Sequence, residues 1–183
     1  YDIPYEDIIA DTYYINNNNN FKSFYNSLNN IKKNYFNSLK NKNILQFYSE
    51  KEIMIIGSLL EKEGLGLDDK RKIFSVIFNR LNSDMKLQID ASVIYAITKG
   101  EYNLERNLYF KDLKIDNLYN TYVYKGLPPK PISYVGKETL NIMSENFKSD
   151  FLFYFFDKSL NKHIFSKTYE DHKKKLNEYR SSK

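Results

Sequence analysis

A chain of 183 residues with 42% hydrophobic and 28% charged residues has the balance of an ordinary soluble protein, and its 13 Phe and 17 Tyr exclude wholesale disorder. The absence of cysteine and the presence of only two histidines exclude disulfides, thiol nucleophiles, cysteine-ligated zinc and a histidine-rich metal site. A net charge of +5 suits nucleic acid, an anionic membrane surface or an acidic polymer without selecting among them. The Lys and Arg residues are scattered among acids and form no dense stripe, which argues against nucleic acid.

The longest apolar run, Phe151 to Phe156, is far too short for a membrane-spanning helix. Residues 1–15 are acidic, and the alternation from Ile8 to Ile15 predicts extended structure. The run Asn16 to Asn20 reads as a linker or helix entry. Over residues 21–48, Phe21, Phe24, Tyr25, Leu28, Ile31, Tyr35 and Leu39 recur at spacings of three and four, which predicts one amphipathic helix. Ser49 and Glu52 fit a capping box. The helix that follows would carry Ile53, Ile56, Leu59 and Leu60 on one side and end at Gly64 and Gly66.

Asp68 or Asp69 is expected to cap a further helix with Ile73, Val76, Ile77 and Leu81 in the core. A turn at Asn82 to Asp84 and an extended piece from Met85 to Asp90 precede a short helix from Ala91 to Ile97. Tyr119 to Tyr124 reads as a strand, with Asn120 and Tyr122 on one face and Tyr119 and Thr121 on the other. Gly126 to Ile132 holds three of the four prolines and must be a stiff loop. A short helix from Lys137 to Ser144, a hairpin from Phe151–Phe156 and His163–Phe165, and a basic helix beginning at Thr168 complete the chain. The class is α+β, with helical segments packed on a small, mostly antiparallel sheet.

The groups available for chemistry are carboxylates, amides, hydroxyls and one useful His. Glu61 and Glu63 point about 200° apart on a helix, so one can face a pocket while the other faces solvent or a Lys. Near a helix C-terminus, partly desolvated, such a carboxyl has a raised pKa, which suits a general acid. Asn79, Arg80, Gln88 and Asp90 follow, and the directed donors and acceptors suit a sugar. Asn120, Thr121 and Tyr122, set by the proline loop, suit it too. Against this stand plain alternatives: solvated glutamates, a cap at Asp90, an edge strand at Tyr119, and a structural role for His163.

Taken together these segments resemble the endolytic murein transglycosylase family (MltG/YceG-like). The match comprises Leu60-Glu61-Lys62-Glu63, Ser75 to Leu81, Met85 to Asp90, Val93-Ile94-Tyr95, Tyr119 to Tyr122, Gly126 to Ile132, Tyr154-Phe155, His163 to Ser166 and His172. The sequence departs from the family pattern at Asp84 and Lys130, where Gly is usual, and at Ala91 and Val135, where Pro is usual.

The resemblance implies a YceG-like catalytic domain over residues 21–183, with residues 1–20 a linker leaving a LysM-like domain. It implies cleavage of MurNAc–GlcNAc bonds within peptidoglycan strands, leaving 1,6-anhydro-MurNAc ends, with Glu63 as the catalytic acid. Gln88, Asn120, Thr121 and Tyr122 would hold the sugar, with Asn79, Arg80, Asp90 and His163 beside them; Asp90 is either a second carboxylate or a cap. No cofactor or metal is implied. Cell-wall synthases are possible partners. The implied place is the outer side of the cytoplasmic membrane, through an N-terminal anchoring helix outside this chain. A catalytically weak glycan-binding module with the same fold is the competing reading.

Overall fold

The structure is a computed structural model that describes residues 3–14, 20–39, 44–145 and 147–182. Strand β1 (Ile9–Ala10) leads to helix α1 (Phe21–Ser38), a single turn α2 (Ile44–Phe47), α3 (Glu50–Glu63), α4 (Leu67–Asn82) and α5 (Asp90–Thr98). Then come a 3-10 turn (Asp112–Lys114), β2 (Val135–Gly136), α6 (Lys137–Ser144), β3 (Phe153–Asp157), β4 (Lys162–Ser166) and α7 (Tyr169–Ser181). The α+β class stands. The sheet component is a five-residue antiparallel hairpin, β3–β4, plus a two-residue parallel pairing of β1 with β2.

Helix α3 is the centre of the molecule. Ser49 and Glu52 form the expected capping box, satisfying each other's backbone amides at the helix start. Every residue from Ile53 to Leu60 is buried. The helix is therefore apolar all round, rather than apolar on one side, as befits an element enclosed by others. It packs against α4, α5, α6 and β2. Each fully buried Ile or Leu side chain contributes about 1.5–3 kcal/mol by leaving water. A Cβ at Gly57 would lie 2.6 Å from Val135 Cγ1, so only glycine lets β2 lie this close to α3. The Asn run lies outside the described residues except Asn20, whose side chain caps α1 by accepting from the Ser23 amide.

Three expectations need correction. The helix predicted over 21–48 is two elements: α1 stops at Ser38, and α2 resumes at Ile44 beyond residues outside the described set. Gly64 is the C-cap of α3, as expected, and its φ of −78° and ψ of 134° turn the chain out in extended geometry. Neither Asp68 nor Asp69 is the cap of α4, which begins one residue before them; Asp69 instead accepts from the Leu65 amide at 3.0 Å. Tyr119 to Tyr124 is not a strand but a run of turns, because Asn120 Oδ1 accepts from the Tyr122 amide and folds the backbone back. Local β propensity there loses to a side chain that competes for the backbone.

Candidate active site

The last turn of α3 sends its two glutamates to opposite sides. Glu61 points toward β2 and α6. Its Oε2 accepts from Lys70 Nζ at 2.6 Å, and its Oε1 from Thr139 Oγ1 at 2.6 Å and the Gly136 amide at 3.0 Å. Burial would raise its pKa, but Lys70, Thr139 and the Gly136 amide together hold it below the ordinary carboxylate value. Glu61 is a neutralised structural carboxylate.

Glu63 points toward α5 and the hairpin. Its Oε1 accepts from the Ala91 amide and its Oε2 from the Tyr154 hydroxyl, both at 3.2 Å. The N-cap of α5 is Ile89, which offers no side-chain acceptor, so Glu63 occupies one of the free amides of that helix's first turn. Burial pushes the Glu63 pKa up; the Ala91 amide opposes it, the Asp90 charge adds to it, and Tyr154 and His163 oppose it, with burial prevailing. A carboxyl that burial makes hold its proton more tightly than usual, with a donor waiting at each oxygen once the proton has gone, can act as acid and then as base. Asp90 beside it is exposed, and its Oδ1 accepts from the Tyr122 hydroxyl at 2.6 Å.

Several residues read as sugar ligands are occupied in holding this arrangement. Arg80 is 6% exposed. It donates to the carbonyls of Leu152 at 2.6 Å, Lys86 at 3.1 Å and Leu87 at 2.7 Å. Asn79 donates to the carbonyls of Ser149 and Phe151. Both bind α4 to the chain entering β3; Asn79 has both amide hydrogens taken, and Arg80 is buried. Asn120 is fully buried, with its amide nitrogen on the Leu113 and Ile115 carbonyls. The Thr121 hydroxyl, also buried, accepts from the Ile89 amide and pairs with Ser92. Asn120 and Thr121 therefore brace the long 99–134 segment under the site instead of facing sugar.

Asp90 and Tyr122 do come close to Glu63, and Gln88 is tied to the turn that carries Tyr122. Gln88 is exposed and sits at a φ of +53°, a left-handed conformation costly for a side chain with a Cβ. The Thr121 carbonyl holds its amide, and Arg80 Nη1 reaches its Oε1 at 3.4 Å. His163 lies under the site with 5% of its side chain exposed, its Nδ1 2.8 Å from Asp69 Oδ2.

Tyr154, Asp69 and the Ala91 amide were not foreseen as parts of the site. The hairpin register carried the signal for Tyr154: it faces Phe165 across the strands as Phe156 faces His163, which puts all four side chains on one face. Phe153 and Phe155 take the other face, against Tyr169, His172 and Tyr179. Among the described residues no group of three or more His, Asp or Glu could hold a metal ion, and no helix is long and apolar enough to cross a membrane.

The model of the YceG-like family matches residues 7–178. The chain belongs to this family. As a YceG-like chain it is 41% identical over 135 residues to an endolytic murein transglycosylase of Bacillus subtilis, an alignment covering 74% of this chain and 36% of that protein. It is 34% identical over 133 residues to an endolytic murein transglycosylase of Streptococcus pneumoniae serotype 2, covering 72% of this chain and 24% of that one. A crystal structure of a YceG-like protein from Listeria monocytogenes superposes with a TM-score of 0.78 at 30% identity, covering 92% of this chain and 54% of that one. The chain thus spans a quarter to about half the length of these relatives.

Proposed function

We propose that this YceG-like domain is a lytic transglycosylase that cuts MurNAc–GlcNAc bonds within peptidoglycan strands and leaves 1,6-anhydro-MurNAc ends. The observation that carries the reading is Glu63: one carboxyl with its pKa raised by burial, hydrogen-bonded at both oxygens, beside the exposed Asp90 and the half-buried Tyr122. Ordinary glycosidases need two carboxylates, one as acid and one as base or nucleophile. Here one suffices. Glu63 gives its proton to the glycosidic oxygen as the bond to the MurNAc C1 breaks. The resulting carboxylate takes the proton of the same sugar's C6 hydroxyl as that oxygen bonds to C1, and Glu63 ends protonated again. Gln88 and Tyr122 hold the sugar, and Asp90 adds negative charge that keeps the Glu63 proton in place before transfer.

The relatives' names supply the substrate class, and peptidoglycan strands are the proposed partner. Trimming or ending nascent strands, contact with cell-wall synthases, and action on the outer face of the cytoplasmic membrane by way of an anchored whole protein with a LysM-like domain belong to the same proposal.

Digestion of purified sacculi with mass analysis tests it. Released MurNAc ends should be lighter than hydrolysed ends by one water and should resist borohydride. Glu63→Gln, which cannot deliver a proton, should lower cleavage by about 10²–10⁴-fold. Glu61→Gln should leave the activity per folded molecule close to parent while lowering stability. Reducible ends that vanish in Glu63→Gln would instead make the enzyme a hydrolase, with Asp90 as the second carboxylate.

A further inference from the structure

Behind Glu63 runs a line of contacts that ends in a second acid–base pair. The Tyr154 hydroxyl donates to Glu63 Oε2 at 3.2 Å. The Tyr154 ring meets the His163 imidazole edge-on, with centroids 5.3 Å apart and planes at 84°. His163 Nδ1 lies 2.8 Å from Asp69 Oδ2, and that same oxygen accepts from the Leu65 amide at 3.0 Å. These groups come from three places in the fold. Tyr154 and His163 stand on one face of the hairpin, on β3 and β4, and Asp69 on the first turn of α4. Leu65 belongs to the short connection leaving Glu63 itself.

We propose that Asp69 and His163 are positioning residues for the reaction at Glu63: Asp69 holds the imidazole by its Nδ1–H, and the imidazole holds the Tyr154 ring so that its hydroxyl reaches Glu63. The inference rests on Glu63 being the proton-transfer group. A carboxylate oxygen can only accept, so Asp69 selects the tautomer with hydrogen on Nδ1. The ring is wedged between Tyr154 and Phe156 and nearly excluded from water, so its orientation is set by that hydrogen bond and by aromatic contact alone.

The consequence falls on the charged half of the cycle. When Glu63 has given up its proton, Oε1 keeps the Ala91 amide and Oε2 keeps Tyr154. A phenol that tilts away leaves one oxygen of a desolvated carboxylate without a donor. The groups facing Glu63 are Ala91 N–H and Asp90 from α5, Tyr154 from β3, His163 from β4 and Tyr122 from the turn segment. Those facing His163 are Asp69 from α4, Tyr154 and Phe156 from β3, and Phe165 from its own strand. Arg80 lies close enough to Tyr154 to act on it electrostatically and is itself fixed by three backbone carbonyls, so it does not orient the phenol by hydrogen bonding.

Asp69→Ala is the discriminating variant and Asp69→Asn its control. Asp69 Oδ2 serves both the Leu65 N–H and His163 Nδ1, so an Asn carbonyl in its place can keep both bonds, whereas Ala leaves Nδ1 with no acceptor. The chain contains only His163 and His172, so long-range ¹H–¹⁵N correlation at about pH 8 reads both tautomers, with His172→Gln assigning them. The parent and Asp69→Asn should show hydrogen on Nδ1 of His163, and Asp69→Ala should move it to Nε2. On soluble glycan strands Asp69→Ala should lose about 10-fold or more in kcat with KM changed less than twofold. ¹³C-carboxyl NMR should show the Glu63 titration midpoint moved upward, as it should be in Tyr154→Phe.

A tautomer that switches while kcat and the Glu63 midpoint stay at parent values overturns the proposal, as does an Asp69-independent tautomer. Should Asp69→Ala fail to fold, His163→Gln serves: its side-chain amide can reach Asp69 but offers Tyr154 no ring edge. Parent-like kcat in that variant is equally fatal. The two NMR readings do not need catalysis, so full activity in Glu63→Gln would sink the proposed function and leave the contact chain to be judged separately.

Discussion

At the scale of single residues, the candidate site separates groups close to the Glu63 carboxyl from groups that hold the backbone beneath it. Asn120 belongs to the second kind. Asn120→Ala strands the half-buried Leu113 and Ile115 carbonyls and frees the turn, so it should lower stability by about 1–3 kcal/mol, seen as a lower urea midpoint. Tyr122→Phe removes only a hydroxyl beside the exposed Asp90. It should leave the melting temperature within a few degrees of parent while lowering cleavage. The reverse pattern, a stable Asn120→Ala and an unstable Tyr122→Phe, would invert the two roles.

Ala91 offers a second residue-scale test. Its amide is one of two donors on Glu63, and proline, the usual family residue there, has none. Position 91 lies in the first turn of α5, where a missing N–H costs the helix no internal bond. With the donor gone, the carboxylate loses more than the acid does, so the Glu63 pKa rises further. Glu63 then stays protonated to higher pH. In Ala91→Pro the alkaline limb of the pH–rate profile should therefore move to higher pH. A limb that moves down, or not at all, would show that the Ala91 amide does not set the ionisation of Glu63.

At the scale of elements, the hairpin is a sheet with two committed faces, one presented to Glu63 and the other to α7. His172 secures the second face, with centroids 5.4 Å from Phe153 and 5.7 Å from Phe155. Burial, with the nearby Arg80 charge, lowers its pKa from the ordinary 6.5. The folded state thus binds that proton less readily than the unfolded chain. The His172 contribution is full above about pH 6.5 and is lost as pH falls through that value toward the folded pKa. His172→Phe keeps the aromatic contacts without the titration. The loss of stability between pH 7.5 and 5.5 should be smaller in this variant than in the parent, measured by urea midpoints. An identical loss in both would remove His172 as the cause.

At the scale of the whole molecule, the segment before α1 joins the structure around α3. Ile9 is fully buried and pairs with Val135 in the β1–β2 register, and Val135 packs on Gly57 of α3. The Gly136 amide beside it holds Glu61, two residues before Glu63. Ile9→Ala opens a cavity at this junction and should cost about 2–5 kcal/mol in unfolding free energy. Activity per folded molecule should fall far less than in Glu63→Gln. A cost under 0.5 kcal/mol would mean that the β1 contact adds little to the fold.

Local signals in the sequence were enough for the helices from α3 onward, for the capping box at Ser49 and for the hairpin, because periodicity, caps and β-rich strands act over a few neighbours. They were enough, too, to send Glu61 and Glu63 apart, since 100° per residue is a property of any α-helix. Whether Glu63 rather than Glu61 would be the unneutralised carboxyl was decided by residues far along the chain: Lys70, Gly136 and Thr139 on one side, Ala91 and Tyr154 on the other. The same holds for Arg80, Asn79, Asn120 and Thr121, polar side chains that suit a sugar on paper and are taken up by backbone groups in the fold. A buried amide or guanidinium goes to whichever acceptors surround it, and only tertiary packing determines which those are.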